Sequence, residues 1–190
     1  MTDLMVDFIT SLDGFGAARE WPGLWGMGSP DYLDWLEEDS QTEYVTLMGA
    51  TTYRMFDEFA AAGEPGVEDL TRRRTLVFSR TMQEPPSWPN ATLVSEDAVD
   101  SVRTLKRESE LPLRTIGSLS LCRSLLAAGL VDRYRVVVFP VVNGATGYDR
   151  IYDGWPDVRL ELASSRTFDG GQQLLEYVPT VLDGPPGVST

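Results

Sequence analysis

The stretch that most constrains the fold is Tyr134 to Val142, YRVVVFPVV, which is apolar at odd and even positions alike for most of its length. A strand with one face in water alternates apolar and polar residues. One that is apolar on both faces is covered on both sides, as in the centre of a helix-flanked sheet. The chain around it supplies such layers. Leu4 to Thr10 reads as a short apolar strand running into the turn-forming pair Asp13-Gly14. Residues 15–30, with four glycines among Trp21, Trp25 and Pro30, read as a long ordered loop. Ser29-Pro30-Asp31 opens a helix over 31–40, with Ser29 at its N-cap and Leu33 and Leu36 on one side. Tyr44 to Met48 is the next strand, followed by Gly49-Ala50-Thr51-Thr52 and a helix whose core face carries Tyr53, Phe56 and Phe59.

A loop at 61–70 leads to strands at Arg74 to Ser79 and Ala91 to Ser95, then a helix at Asp97 to Glu108. Leu113 to Ile116 is a short strand, and Ser118 caps a helix that ends at Gly129. Arg159 to Thr167 and Gln172 to Val178 form an antiparallel hairpin closed by Asp169-Gly170-Gly171. No linker divides the chain, so one domain is expected over 1–178, with a turn-rich tail at 179–190 that frays. The expected class is α/β, a sheet finished by a C-terminal hairpin.

Composition narrows the chemistry. The 190 residues carry a formal charge of −13, one cysteine and no histidine. Without histidine there is no Ser-His-Asp or Cys-His nucleophile and no imidazole proton shuttle. Cys122 alone forms neither an internal disulfide nor a cysteine-rich metal site, and no metal site is expected. The single lysine, Lys106, sits in a charged run, which disfavours Schiff-base chemistry. The acidic balance argues against nucleic acid and anionic membrane surfaces. With no long apolar run and no basic N-terminal region of a signal peptide, a cytoplasmic location is expected. Proton chemistry must then come from carboxylates, tyrosine, water or a cofactor.

Three strand ends carry glycine or hydroxyl residues where a helix or turn begins: Gly49-Ala50-Thr51-Thr52, Ser79-Arg80-Thr81 and Gly117-Ser118-Leu119-Ser120. Ligands of open α/β sheets collect at such ends, where helix N-termini offer N–H groups to phosphate. Arg80 and Arg54 add charge-assisted donors. Trp21, Trp25 and Trp35 are either walls for an aromatic ligand or core residues.

The ordered set resembles the dihydrofolate-reductase-like fold, and within it the C-terminal reductase domain of riboflavin biosynthesis and its stand-alone relatives. The resemblance rests on Ser11-Leu12-Asp13-Gly14, Leu47-Met48-Gly49-Ala50-Thr51-Thr52-Tyr53 and Val77-Phe78-Ser79-Arg80-Thr81. It continues through Gly117-Ser118-Leu119-Ser120-Leu121, Ala128-Gly129-Leu130-Val131-Asp132 and Pro140-Val141-Val142. It implies a mixed, mostly parallel sheet flanked by helices, an NADPH-dependent reductase acting on a small molecule, and a homodimer. By that resemblance, Gly49, Thr51 and Thr52 hold the adenosine side and pyrophosphate of NADPH. Ser79, Arg80 and Thr81 meet the adenine ribose and its 2′-phosphate, and Gly117, Ser118 and Leu119 lie under the pyrophosphate and nicotinamide ribose. Asp13 faces the substrate or nicotinamide, and Trp25 belongs to a loop that closes over it. Asp34 shares the helix on which folate reductases carry their pterin-binding acid, with Asp31 as the alternative in register.

Three positions depart from the family pattern. Ala50 stands where a cation is usual, Ile116 where the first of two glycines is usual, and Asn143-Gly144-Ala145-Thr146-Gly147 where a glycine-rich run and then a basic residue are usual; near Asp13 the one basic residue is Arg19. The expected activity is reduction of a pyrimidine- or pterin-like ring, with 5-amino-6-(5-phosphoribosylamino)uracil as the reference substrate. Asp13, Asp34 or a water they polarise supplies the proton. The alternative is a non-catalytic nucleotide- or ligand-binding dimeric module on the same fold, motivated by Ala50 and Ile116.

Overall fold

The computed structural model describes residues 1–20, 24–64 and 67–187. In chain order the elements are strands β1 (Leu4–Ser11) and β2 (Phe15–Ala18), helix α1 (Pro30–Ser40), strand β3 (Val45–Gly49) and helices α2 (Ala50–Ala62) and α3 (Glu68–Arg72). There follow β4 (Thr75–Phe78), β5 (Ala91–Val94), α4 (Ala98–Glu108), β6 (Leu113–Thr115) and α5 (Leu119–Ala127). Strands β7 (Arg133–Phe139), β8 (Gly147–Arg150), β9 (Val158–Thr167) and β10 (Gln173–Val181) complete the chain. The class is as expected: a mixed, mostly parallel sheet with helices and a C-terminal antiparallel strand pair. No helix among the described residues is long and apolar enough to cross a membrane.

The chain forms two compact units, Met1–Val6 with Glu43–Val131, and Asp7–Thr42 with Asp132–Thr190. In the first, parallel strands run in the order β5-β4-β3-β6, with the start of β1 beside β6. Met48, Tyr53, Leu70, Val77 and Trp88 form a buried cluster there, Tyr53 and Trp88 with ring centroids 4.9 Å apart. Helix α4 has a side-chain N-cap: Asp97 accepts the N–H groups of Val99 and Asp100. Phe59, expected on the core face of α2, is 40% exposed, so that face is carried by Tyr53 and Phe56.

In the second unit β7, β10 and β9 form an antiparallel sheet and β2 pairs with β8 in a separate ribbon. Tyr32, Val137, Phe139 and Phe168 make its buried cluster, with Trp25, Trp35 and Leu36 packed on it. The inward stripe of α1 runs Tyr32, Trp35 and Leu36, while Leu33 is 47% exposed. The helical period is as read but its phase starts one residue earlier.

Other boundaries shift for local reasons. The 15–30 stretch is not loop throughout, since β2 occupies part of it, and α3 lies inside the expected 61–70 loop. Strand β7 stops at Phe139, before Pro140, which has no N–H to give a ladder, and Val142 is 64% exposed. Strand β10 runs on to Val181, so Pro179–Val181 pair with β9 instead of joining the tail. Ser29 precedes α1 but does not cap it; its hydroxyl donates to Gln172 Oε1 at 3.2 Å. Trp21 lies outside the described residues.

Candidate functional site

The three hydroxyl-rich turns of the first unit stand in register. Gly49, the last residue of β3, lies opposite Phe78, the last of β4, so Gly49 and Ser79 leave the sheet side by side. Leu47 lies opposite Thr115 at the end of β6, which brings Gly117 level with the start of α2.

A hydroxyl network locks this corner. Ser118 Oγ accepts the Gly49 N–H at 2.5 Å and donates to Thr52 Oγ1 at 2.9 Å. Cys122 Sγ donates to the Gly117 carbonyl at 3.0 Å from the next helical turn. The backbone runs close here: a Cβ on Gly49 would stand 3.2 Å from Ser118 Oγ and press that hydroxyl aside, and Gly117 has a φ of +55°, where a side chain is strained. Ser118 also holds a positive φ of 71°, which costs a non-glycine residue about 1–2 kcal/mol. The strain therefore falls on Gly117 and Ser118, one residue beyond Ile116. Ile116 donates its N–H to the Leu47 carbonyl at 3.1 Å and packs on the buried cluster of the first unit. A glycine is not required at its position.

Ser118 is therefore no helix cap, because its hydroxyl is spent on the neighbouring turn; α2 and α5 both begin without a side-chain cap. A helix leaves its first N–H groups without intrahelical partners, so two such N-termini beside each other make an anion-attracting corner. Thr51 is exposed at the first turn of α2 and Leu119 is half-buried at the first residue of α5. Ser79 Oγ accepts the N–H groups of Thr81 and Met82, which makes it the organiser of its own turn. Arg80 and Thr81 project from that turn exposed, and Arg80 has no ion pair among the described residues.

The sequence-predicted acids of the second unit are arranged otherwise. Asp13 Oδ1 accepts from the Ser11 hydroxyl at 2.6 Å and from the Asn143 N–H at 3.1 Å, and Oδ2 accepts the Gly144 N–H at 2.9 Å. These bonds, the Ser11 hydroxyl foremost, push its pKa down to about 2. An acid so held is ionised at neutral pH, the state in which it polarises a water, which is the alternative to direct proton donation expected of it. Its role in this unit is to pin the 143–144 turn to the β1–β2 turn.

Asp34 is exposed, with no hydrogen bond or ion pair among the described residues, and Asp31 is ion-paired with Arg166. Trp25 lies with its indole 5.1 Å from the Phe139 ring, a core contact in place of an exposed wall. The unit's buried charges are ones the sequence reading missed. Arg135 donates to Asp7 at 2.8 Å and to Asp39 at 2.7 Å, with side-chain exposures of 8%, 16% and 15%. Burial alone would favour loss of the Arg135 charge, but Asp7 and Asp39 together hold it. The Tyr32 phenol nearby is pushed up by burial and then by the Asp7 charge. The available signal was an arginine inside the most apolar strand, which demands a buried counter-charge.

Comparison with known proteins agrees with this architecture. The RibD C-terminal domain family model matches residues 2–174. YyaP of Bacillus subtilis (strain 168), itself uncharacterised, is 25% identical over 182 residues, covering 92% of this chain and 93% of YyaP. A candidate riboflavin biosynthesis protein from Shewanella sp. PV-4 superimposes with a TM-score of 0.70 at 19% identity, over 94% of this chain and 99% of the other. A Thermotoga maritima diaminohydroxyphosphoribosylaminopyrimidine deaminase/5-amino-6-(5-phosphoribosylamino)uracil reductase does so with a TM-score of 0.66 at 16% identity, over 94% of this chain and 57% of the longer protein. At those identities the structural likeness speaks for the fold alone.

Proposed function

The chain belongs to the RibD C-terminal domain family, and from that premise we propose that it is a reductase that takes NADPH and acts on a small pyrimidine- or pterin-like ring. The observation that carries the reading is the corner formed by the start of α2 and the start of α5. Its uncapped N–H groups suit a pyrophosphate, and Gly49 and Gly117 leave the backbone bare where a ligand would approach. Ser118, strained and doubly bonded, fixes the spacing of the two turns. Arg80, exposed and unpaired among the described residues, is the natural donor to a 2′-phosphate. It also offsets the cation missing at Ala50. Bound NADPH supplies the hydride; the chain supplies orientation and charge.

The proton that completes the reduction is assigned to solvent water, because Asp13 is ionised and holds three hydrogen bonds and Asp34 stands on an exposed helix face. The substrate is assigned as a ring without a ribose phosphate. Arg19 donates to the Ala145 carbonyl and Arg150 to the Asp13 carbonyl, so the basic residues around the Asp13 turn are tied into it.

Titration of NADPH and NADH by tryptophan fluorescence tests the cofactor, and a panel of phosphorylated and unphosphorylated pyrimidines and pterins followed by NADPH absorbance tests the reaction. Saturable sub-millimolar NADPH binding with turnover of an unphosphorylated ring supports the reading; no saturable binding sinks it. The second reading, a nucleotide-binding module without catalysis, is favoured by the engagement of Asp13. It predicts NADPH binding with no oxidation across the panel.

A further inference from the structure

We propose that Asn143 is a site of spontaneous covalent modification, deamidation through a ring closed onto the Gly144 nitrogen, and that Asp13 is the group that holds it off. The reactive pair is present in the sequence. The chain has two asparagines, Asn90 and Asn143, and only the second precedes a glycine. With no Cβ at Gly144, nothing on that residue shields its nitrogen from the preceding side chain. The two carboxamides also differ in their surroundings. Asn90 Nδ2 donates to the Arg72 carbonyl at 2.6 Å, whereas Asn143 Nδ2 is buried with no hydrogen-bond partner among the described residues. An amide donor without a partner is held by packing alone. Gly144 itself is exposed, and a Cβ built on it would meet nothing within 4 Å, so hydroxide has open space beside it.

The reaction begins with the loss of one proton. Hydroxide takes it from the Gly144 N–H, the nitrogen attacks Asn143 Cγ, and the Cγ–Nδ2 bond breaks as ammonia leaves with a proton from water. Water then opens the ring at either carbonyl, which leaves aspartate, or isoaspartate with one more methylene in the main chain. Asp13 blocks the first step. Its Oδ2 accepts the Gly144 N–H at 2.9 Å and its Oδ1 the Asn143 N–H at 3.1 Å, so one carboxylate spans both amides and fixes the backbone between them. An amide anion at Gly144 would stand beside that carboxylate, like charge against like charge. The Ser11 hydroxyl, donating to Oδ1 at 2.6 Å, keeps the carboxylate in place.

Modification here would reach beyond the turn. The Asn143 carbonyl accepts the N–H groups of Thr146 and Gly147 at 2.7 and 3.2 Å, and Gly147 begins β8, where it pairs with Ala18 of β2. A carboxylate at position 143 repels Asp13, and an added methylene displaces that carbonyl. Either change unpins the turn.

Incubation of the full chain in mildly alkaline buffer, followed by peptide mapping with mass spectrometry, tests the proposal, since deamidation exchanges NH2 for OH at one residue. Circular dichroism confirms that each variant is folded, and wild type unfolded in guanidinium chloride gives the unguarded rate. Folded wild type should convert Asn143 more slowly than the unfolded chain by about tenfold or more, and folded Asp13→Ala should recover about tenfold in rate, with Asn90 unchanged. Alanine is chosen because asparagine before Gly14 would create a second Asn-Gly pair. Ser11→Ala, which removes one of the three bonds to Asp13, should give a smaller increase. A folded Asp13→Ala that converts at the wild-type rate, or a folded wild type as fast as the unfolded chain, overturns the proposal. Should Asp13→Ala not fold, Ser11→Ala decides by the same comparison. The readout is covalent mass, so the outcome is independent of the reductase reading.

Discussion

At the β3–β6 corner of the first unit hydrogen-bond donors are left over, whereas four acids of the second unit, Asp7, Asp13, Asp31 and Asp39, already have partners. Gly49, Thr52 and Ser118 satisfy one another through a single hydroxyl, Gly117 accepts from Cys122, and two helix N-termini are left uncapped. Asp13, Asp31, Asp7 and Asp39 are matched by Ser11, the 143–144 backbone, Arg166 and Arg135. Both regions show polar residues at strand ends or on a helix, and by residue type they look alike. The difference lies in whether a partner is already present. A corner with spare donors is built to receive an anion; a set of neutralised acids is built to hold its own unit together.

The largest effect that distinguishes the two is expected at Arg135. Replacing it by methionine strands Asp7 and Asp39 in a nearly buried site, which costs about 3–5 kcal/mol and lowers the urea midpoint accordingly. Adding Asp7→Asn and Asp39→Asn should recover most of the loss; no recovery would mean the cluster is not the source. In the donor-rich corner, Ser118→Ala removes the acceptor of the Gly49 N–H and should cost about 1–3 kcal/mol of stability. Ser118→Gly loses the same hydroxyl but relieves the positive φ, so it should be the more stable of the two variants. If the corner holds the cofactor, both weaken NADPH about tenfold, close to 1.4 kcal/mol. Arg80→Ala should leave the urea midpoint unchanged and weaken NADPH about tenfold, with NADH affected less than about twofold. Equal losses for the two nucleotides would remove Arg80 from the 2′-phosphate.

What could be read from the residues follows the same division. Gly49, Ser79 and Gly117 announce their places because glycine and hydroxyl residues end strands in a pattern set by local backbone geometry. Tyr134 to Phe139 announces a central strand because burial on both faces leaves no polar alternation. The β2–β8 ribbon was not legible: Phe15–Ala18 and Gly147–Arg150 are four residues each, glycine-containing, and held by pairing across 129 or more residues of chain. Asp13 was placed correctly in its turn, but the donors that engage it come from Asn143 and Gly144. Local sequence shows an acid before glycine and cannot show that a distant backbone has already claimed it. The phase of α1 was missed because Tyr32 and Leu33 are both apolar and only packing on Phe139 and Phe168 selects the tyrosine.

Asp13 gives the smallest effect at neutral pH and the sharpest one in acid. Its pKa of about 2 in the folded chain lies below the ordinary 3.8, so its contribution to stability is fully present above about pH 4. That contribution fades as pH falls through about 2, when the carboxylate takes a proton and gives up the Asn143 and Gly144 N–H groups. Asp13→Asn keeps one acceptor oxygen at every pH. It should therefore lie slightly below wild type in urea titrations at pH 7 and draw level with it near pH 2. Protection of the Asn143 and Gly144 amides, taken relative to the intrinsic exchange rate at each pH, should follow the same course, higher in wild type than in the variant at pH 7 and falling to the variant's level near pH 2. Turnover supplies the contrasting readout. If water is the proton source, the wild-type kcat shows no ionisation of Asp13 between about pH 5 and 8, and Asp13→Asn changes kcat by less than about threefold. A loss of several hundredfold would return Asp13 from the holding of a turn to the chemistry.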